Sequence, residues 1–176
     1  MKPGHLTRRF FGALSRRQPP ESEREWAASV LGAPAYELWA RMPNHDQRHS
    51  LGVAREVEAQ LAGTPYEGDP RWLAAALLHD VGKLDSHLGV YGRVAATVSA
   101  TVAGRDMADA WSERSGFTRR VGLYLRHPEL GADRIRIVGG PEEAARWAAA
   151  HHTPDGWGPT GIPDVVVVAL VTADDD

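Results

Sequence analysis

Cysteine is absent from the 176 residues, which excludes disulfides, thiolate metal ligation and a cysteine nucleophile together. Any transition metal must then be held by His, Asp or Glu, and the chain has eight histidines. Long apolar runs are missing too. The longest, Trp72 to Leu78 and Val165 to Val171, fall far short of the roughly 18 to 20 residues that span a bilayer. The chain is therefore expected to have no transmembrane segment and to be cytoplasmic. An excess of positive charge is also lacking, since 20 Lys and Arg against 23 Asp and Glu leave a formal net charge of -3. No global basic field draws double-stranded nucleic acid to such a chain, so partners must be sought in local sites.

What is present fits one domain. A hydrophobic fraction of 43% supports one sizeable core, and this length leaves little room for two. Residues 1 to 20 read as a basic, flexible leader ending in Pro19-Pro20, where neither helix nor strand continues comfortably. The domain is expected over 21 to 176. Thr7-Arg8-Arg9-Phe10-Phe11 loosely resembles a twin-arginine export motif, but Gly12 to Gln18 supply no apolar stretch for translocation.

From Glu21 onward the apolar residues recur at helical spacing, with Pro and Gly as punctuation. The pattern predicts helices over Glu21 to Leu31, Pro34 to Met42, Asp46 to Leu61, Asp69 to Val81, Leu88 to Ala103 and Phe117 to Leu125. Further helices start at Pro128, Pro141 and Pro163, proline suiting a first helical position. Val90, Val94, Val98 and Val102 form a one-sided stripe. Four consecutive valines from Val165 favour a strand on propensity, but no second strand is in sight to pair with them, so this segment reads as helix. The expected fold class is all-α, a single-domain helical bundle.

The chemistry gathers around His79-Asp80. The preceding Trp72 to Leu78 is apolar all round, marking a helix buried on most faces, and a carboxylate at its end is costly unless paired or bound to a cation. A His-Asp pair capping a helix end is the bland alternative. Three further signals favour metal. His49 lies four residues before Val53 and eight before Val57, so it projects from the apolar face of its helix. Lys83 sits four residues beyond His79 and brings an ammonium suited to a phosphate oxygen to the same mouth. Asp174 closes the chain with Asp175 and Asp176, although terminal aspartates are commonly just a solvated end.

In order and spacing, His49, His79-Asp80 and Asp174 resemble the HD-domain metal-dependent phosphohydrolase superfamily, over roughly residues 44 to 175. Arg126-His127-Pro128-Glu129-Leu130-Gly131 looks like the His-Pro-x-x-Gly step of its HD-GYP branch. Ala150-His151-His152-Thr153-Pro154-Asp155-Gly156-Trp157-Gly158-Pro159 looks like that branch's His-His-x-x-x-Asp-Gly-x-Gly-Tyr-Pro signature, with the tyrosine absent and Pro159 directly after Gly158. The resemblance implies metal ligation by His49, His79, Asp80, His127, His151, His152 and Asp174, with Asp80 bridging. It implies one or two divalent ions, with manganese, iron, zinc, nickel and cobalt all compatible with imidazole and carboxylate. The implied activity is hydrolysis of a phosphomonoester or phosphodiester in a nucleotide or other phosphorylated small molecule, by water activated at the metal. Asp80, Lys83 and His152 would be the catalytic residues, Lys83 holding phosphate and His152 protonating the leaving oxygen. Arg48, Arg93 and Arg126 are candidate contacts for further phosphates. Two other readings stand beside this one: a non-catalytic HD-type metal- or nucleotide-binding scaffold, and a single-metal nucleotidase indifferent to loss of His127 or His151. Neither the substrate nor the oligomeric state is written in these residues.

Overall fold

The computed structural model describes residues 17–89, 92, 93, 96 and 107–175. Most of the basic leader, and the valine stripe Val90, Val94, Val98 and Val102 with most of the Leu88 to Ala103 helix, lie outside the described residues. The elements are α1 (Glu21–Leu31), α2 (Ala33–Ala40), α3 (Asn44–Leu61), α4 (Pro70–Leu78), a 3₁₀ turn (Val81–Ser86), α5 (Met107–Ser112), α6 (Gly116–Leu125), α7 (His127–Ile137), α8 (Glu142–Ala150), two short 3₁₀ turns (Pro154–Gly156 and Gly158–Thr160) and α9 (Asp164–Asp175). The described residues contain no strand, and the fold is all-α.

The helix starts follow local chemistry. Asp69 caps α4 by accepting the Arg71 backbone N–H at 3.0 Å, and Pro70 takes the first helical position. Prolines also precede or open α1, α3, α8 and α9. Between α1 and α2 the chain turns at Gly32, whose φ of 68° is open to glycine and strained for other residues. The valine-rich segment resolves as helix for a tertiary reason. Val166, Val167, Ala169, Leu170 and Ala173 are buried at a spacing of three to four residues while Val165 and Val168 face outward, so packing overrides strand propensity.

Helix α4 is the axis of the core. Every residue from Trp72 to Leu78 is buried, and the helix packs on α3, α8 and α1. Helix α9 lies along α3, α7 along α8, and the Val81–Ser86 turn sits against α6 and α7. The end of α4 is thereby delivered to the place where these helices meet. The α-helix stops at Leu78, three residues short of the sequence expectation, because Asp80 leaves helical geometry at φ -102° and ψ 5° and a 3₁₀ turn follows.

One contact sets how close that turn comes to α7. A Cβ at Gly82 would lie 2.0 Å from the His127 carbonyl oxygen and 2.5 Å from the Gly131 backbone nitrogen. Two backbones touch there with no room for a side chain, which draws His127 in beside Asp80.

Candidate metal centre

Three histidines reach the centre by one device. His79 follows α4, His127 follows α6 and His151 follows α8. Each ring donates Nδ1–H to the carbonyl three residues back: Ala76 at 2.8 Å, Tyr124 at 2.6 Å and Ala148 at 2.8 Å. Such carbonyls have no intrahelical partner at a helix C-terminus, so the imidazole satisfies them. Because a carbonyl only accepts, Nδ1 of each ring carries hydrogen and Nε2 is turned inward. The negative ends of α4 and α8 also lie at this spot, a field that favours a cation, while at His127 the end of α6 meets the start of α7.

The inward atoms form two groups within 4.8 Å of mutual reach: Asp80, His127, His151 and His152 in one, and His49, His79 and Asp174 in the other. Asp80 stands between them. Its Oδ1 is 3.4 Å from His127 Nε2 and 3.7 Å from His151 Nε2, while its Oδ2 is 3.4 Å from His79 Nε2 and bonded to Lys83 Nζ. In the second group His49 Nε2 lies 2.9 Å from Asp174 Oδ1, with His79 Nε2 3.7 Å from the same oxygen. Asp175 is exposed and takes no place in either group.

These residues fit a divalent cation. His79 Nε2, Asp80 Oδ1, His127 Nε2 and His151 Nε2 are buried without a hydrogen-bond partner, four of the six such side-chain atoms among the described residues. Orphaned buried polar atoms cost roughly 1–3 kcal/mol each, yet here four of them face one another. Imidazole nitrogens and carboxylate oxygens are hard to borderline donors suited to first-row divalent ions.

The electrostatics agree. Burial would raise the Asp80 carboxyl, but Lys83 and His79 outweigh it and hold it well below the usual carboxylate range. Asp174 is likewise held low against its burial, by His79 and the His49 hydrogen bond. Burial would depress His79, but Asp80 and Asp174 carry it up to about 9. Burial takes His127 down to about 4 despite Asp80. Burial, with His151 and His127 alongside, takes His152 down to about 3, so its ring is neutral at pH 7.

The three arginines considered as phosphate contacts are otherwise engaged. Arg93 forms a bidentate pair with Asp46 at 2.7 Å on both branches, and the same guanidinium lies 3.2 Å from His45 Nε2. Arg126 pairs with Asp109 at 3.0 Å and donates to Ser112 Oγ at 3.2 Å. Arg48 donates to the Arg17 carbonyl. Sequence reasoning missed the buried Asp46, and so gave its partner Arg93 to phosphate. The available signal was spacing, since Asp46 precedes Ser50, Val53 and Val57 on the face of α3 that enters the core. It also missed Tyr124, which stacks on His127 at 5.5 Å between ring centroids and supplies its carbonyl.

A bundle of helices whose ends bring imidazoles and carboxylates to a buried centre defines an all-α domain with a site that could hold a metal. Among protein families, the HD domain matches residues 47–171, and the chain belongs to that family. No curated protein and no solved structure matches it. HD domains bind divalent metals and are typical of hydrolases acting on phosphorylated substrates, so the membership supports metal-dependent phosphohydrolase activity in general. No helix among the described residues is long and apolar enough to cross a membrane.

Proposed function

We propose that this chain hydrolyses a phosphodiester or phosphomonoester bond in a nucleotide-like substrate, at two cation subsites bridged by Asp80, in a domain spanning 21 to 176. The HD-GYP-like branch, with a degenerate final segment, is the nearest kin on this reading. The observation that carries it is the division of the Asp80 carboxylate, one oxygen turned to His127 and His151 and the other to His79. Divalent ions bound there supply Lewis-acid charge for phosphoryl oxygens and acidify water to a nucleophile near neutral pH.

The chain's own groups complete the site. Water acidified by such ions is the attacking species on this reading. Lys83, at the mouth and 16% exposed, offers an ammonium to a phosphate oxygen. A ring neutral at pH 7 serves better as a ligand than as a proton donor, which favours His152 as a ligand. The single-metal nucleotidase reading gives His127 and His151 no task, although both are buried and orphaned against Asp80.

Two measurements test the proposal. Metal analysis of protein purified without added metal should find two ions per chain, with bis-p-nitrophenyl phosphate hydrolysed. One ion, with only p-nitrophenyl phosphate cleaved, would support the nucleotidase. Bound metal with no turnover of either ester would support the scaffold and sink hydrolysis.

A pH dependence follows from His79. Its folded pKa of about 9 means the ring is protonated at pH 7 and must lose that proton to ligate. Ion affinity should therefore rise about tenfold per pH unit from 7 to 9 and level off above. His127 and His152, already neutral there, add no slope. Competition against a chromophoric chelator at pH 7, 8 and 9 reads the slope, and a flat profile would exclude His79 as a ligand.

A further inference from the structure

We infer that an apolar cleft along α9 is a docking site for the chain's own leader, with Phe10 and Phe11 seated between Trp157 and Val168 and with Arg8 and Arg9 over the acidic end of the cleft at Asp164. The residues that wall this cleft belong to neither donor group, and its occupancy is independent of turnover.

The cleft holds about 420 Å³ between α9 and the two short 3₁₀ turns, walled by Pro154, Trp157, Val167, Val168 and Val171, with Asp164 and Thr172 towards its two ends. Val168 is 61% exposed and Val165, nearly one turn before it, 43%, so α9 carries apolar residues on the face turned away from its buried side. Single exposed valines are ordinary, but a row of them beside an indole in one concavity marks an interaction surface. The rim is acidic. Asp164 lies in the wall, Asp155 adjoins Pro154, both are exposed, and neither forms an ion pair among the described residues.

The leader has the matching chemistry. Lys2, Arg8, Arg9, Arg16 and Arg17 make it basic, no acidic residue occurs before Glu21, and it carries two of the three phenylalanines of the protein. It also enters the described structure beside the cleft. Pro19 is buried, and the Arg17 carbonyl accepts from Arg48, the neighbour of His49, whose ring meets Asp174 in the last turn of α9. Along the helix, Val168 lies about 9 Å and Asp164 about 15 Å back from Asp174, at 1.5 Å per residue. Six extended residues from Arg17 to Phe11 span up to about 20 Å, and nine to Arg8 about 30 Å. A course antiparallel to α9 therefore brings the phenylalanines to the valines and Trp157, and then the arginines to the carboxylates, in the order in which the cleft presents them. Aromatic rings pack well against an indole in such a slot. Tethering decides between this segment and a second copy, because a short linker holds its own end at an effective concentration of about 1 mM, far above that of other chains in micromolar solution.

The absence of cysteine makes the test direct. In the full chain, Gly12→Cys is combined with Thr172→Cys or with Val165→Cys, both exposed positions, and oxidised with glutathione disulfide. At least one pair should form an intrachain disulfide, and adding Phe10→Ser with Phe11→Ser, which keeps the tether, should slow that bond about tenfold or more. Arg8→Glu with Arg9→Glu should slow it about threefold or more at low salt and less at high salt. In the chain without introduced cysteines, trypsin should cut after Arg8 and Arg9 at least about tenfold more slowly than in Val168→Asp, whose exposed position leaves the core untouched. Disulfides formed chiefly between chains would give the cleft to a second copy. Bond rates unchanged by the serine substitutions would make the leader a free arm, and equal trypsin rates would leave the cleft to an occupant from outside the chain. Each of these three results overturns the inference.

Discussion

Asp80→Ala should lower kcat/KM by about a thousandfold or more, a loss of roughly 4 kcal/mol of transition-state stabilisation, and should leave less than one ion per chain. The size follows from position, because the Asp80 carboxylate reaches imidazoles of both donor groups. The same substitution strands Lys83, whose ammonium is mostly buried and loses its carboxylate partner. Breaking a buried pair from one side costs about 3–5 kcal/mol, which at this chain length lowers Tm by roughly 6–20 °C. Loss of function and loss of stability must therefore be separated. Asp80→Asn combined with Lys83→Met removes both charges and keeps the volume. This double variant should regain most of the lost Tm while remaining inactive and poor in metal. Recovery of hydrolysis by it would show that the carboxylate is not the bridge.

Gly82→Ala should be the most damaging single methyl in the described chain. The new Cβ would sit 2.0 Å from the His127 carbonyl oxygen and 2.5 Å from the Gly131 nitrogen, both backbone atoms that cannot swing aside. Helix α7 and the 3₁₀ turn must part by about an ångström or more, at a cost of about 3 kcal/mol or more. His127 travels with α7, so the first donor group should open and ion affinity fall by at least about tenfold, as a second-order displacement of ligands does elsewhere. Gly52→Ala is the matched control. It lies inside α3 with nothing within 4 Å of its Cβ, and should stabilise by up to about 1 kcal/mol with metal binding unchanged. Thermal unfolding and ion titration of the pair check both halves, and equal behaviour of the two variants would remove the contact from the account.

Much of this architecture was legible in the residues. Helix starts were marked by proline and apolar spacing, and α1 runs over the residues expected, Glu21–Leu31. Of the site residues anticipated, His49, His79 and Asp174 are brought together, as are Asp80, His127, His151 and His152. Periodicity places a side chain on a face, which suffices when a residue's neighbours lie on its own helix. It fails where partners come from elsewhere in the chain. Lys83 was placed by α-helical spacing from His79, whereas the 3₁₀ turn pairs it with Asp80 three residues back. The Asp46–Arg93 pair joins residues 47 apart, and no local pattern announces such a bond. Nor does composition show that Gly82 and Gly131 must touch. That requirement appears only when two backbones are brought together.

The latching of His79, His127 and His151 to the carbonyls of the helix turns just before them has a wider effect. None of these rings has a rotamer to spare, so the pocket acts as a caliper whose jaws are whole helices. Its gape is inherited from how α4, α7 and α8 pack, and buried side chains remote from any ion, such as Ile135 or Leu77, thereby help to decide which ionic radius is welcome. Selectivity among cations in this domain is a property of the core as much as of the ligands.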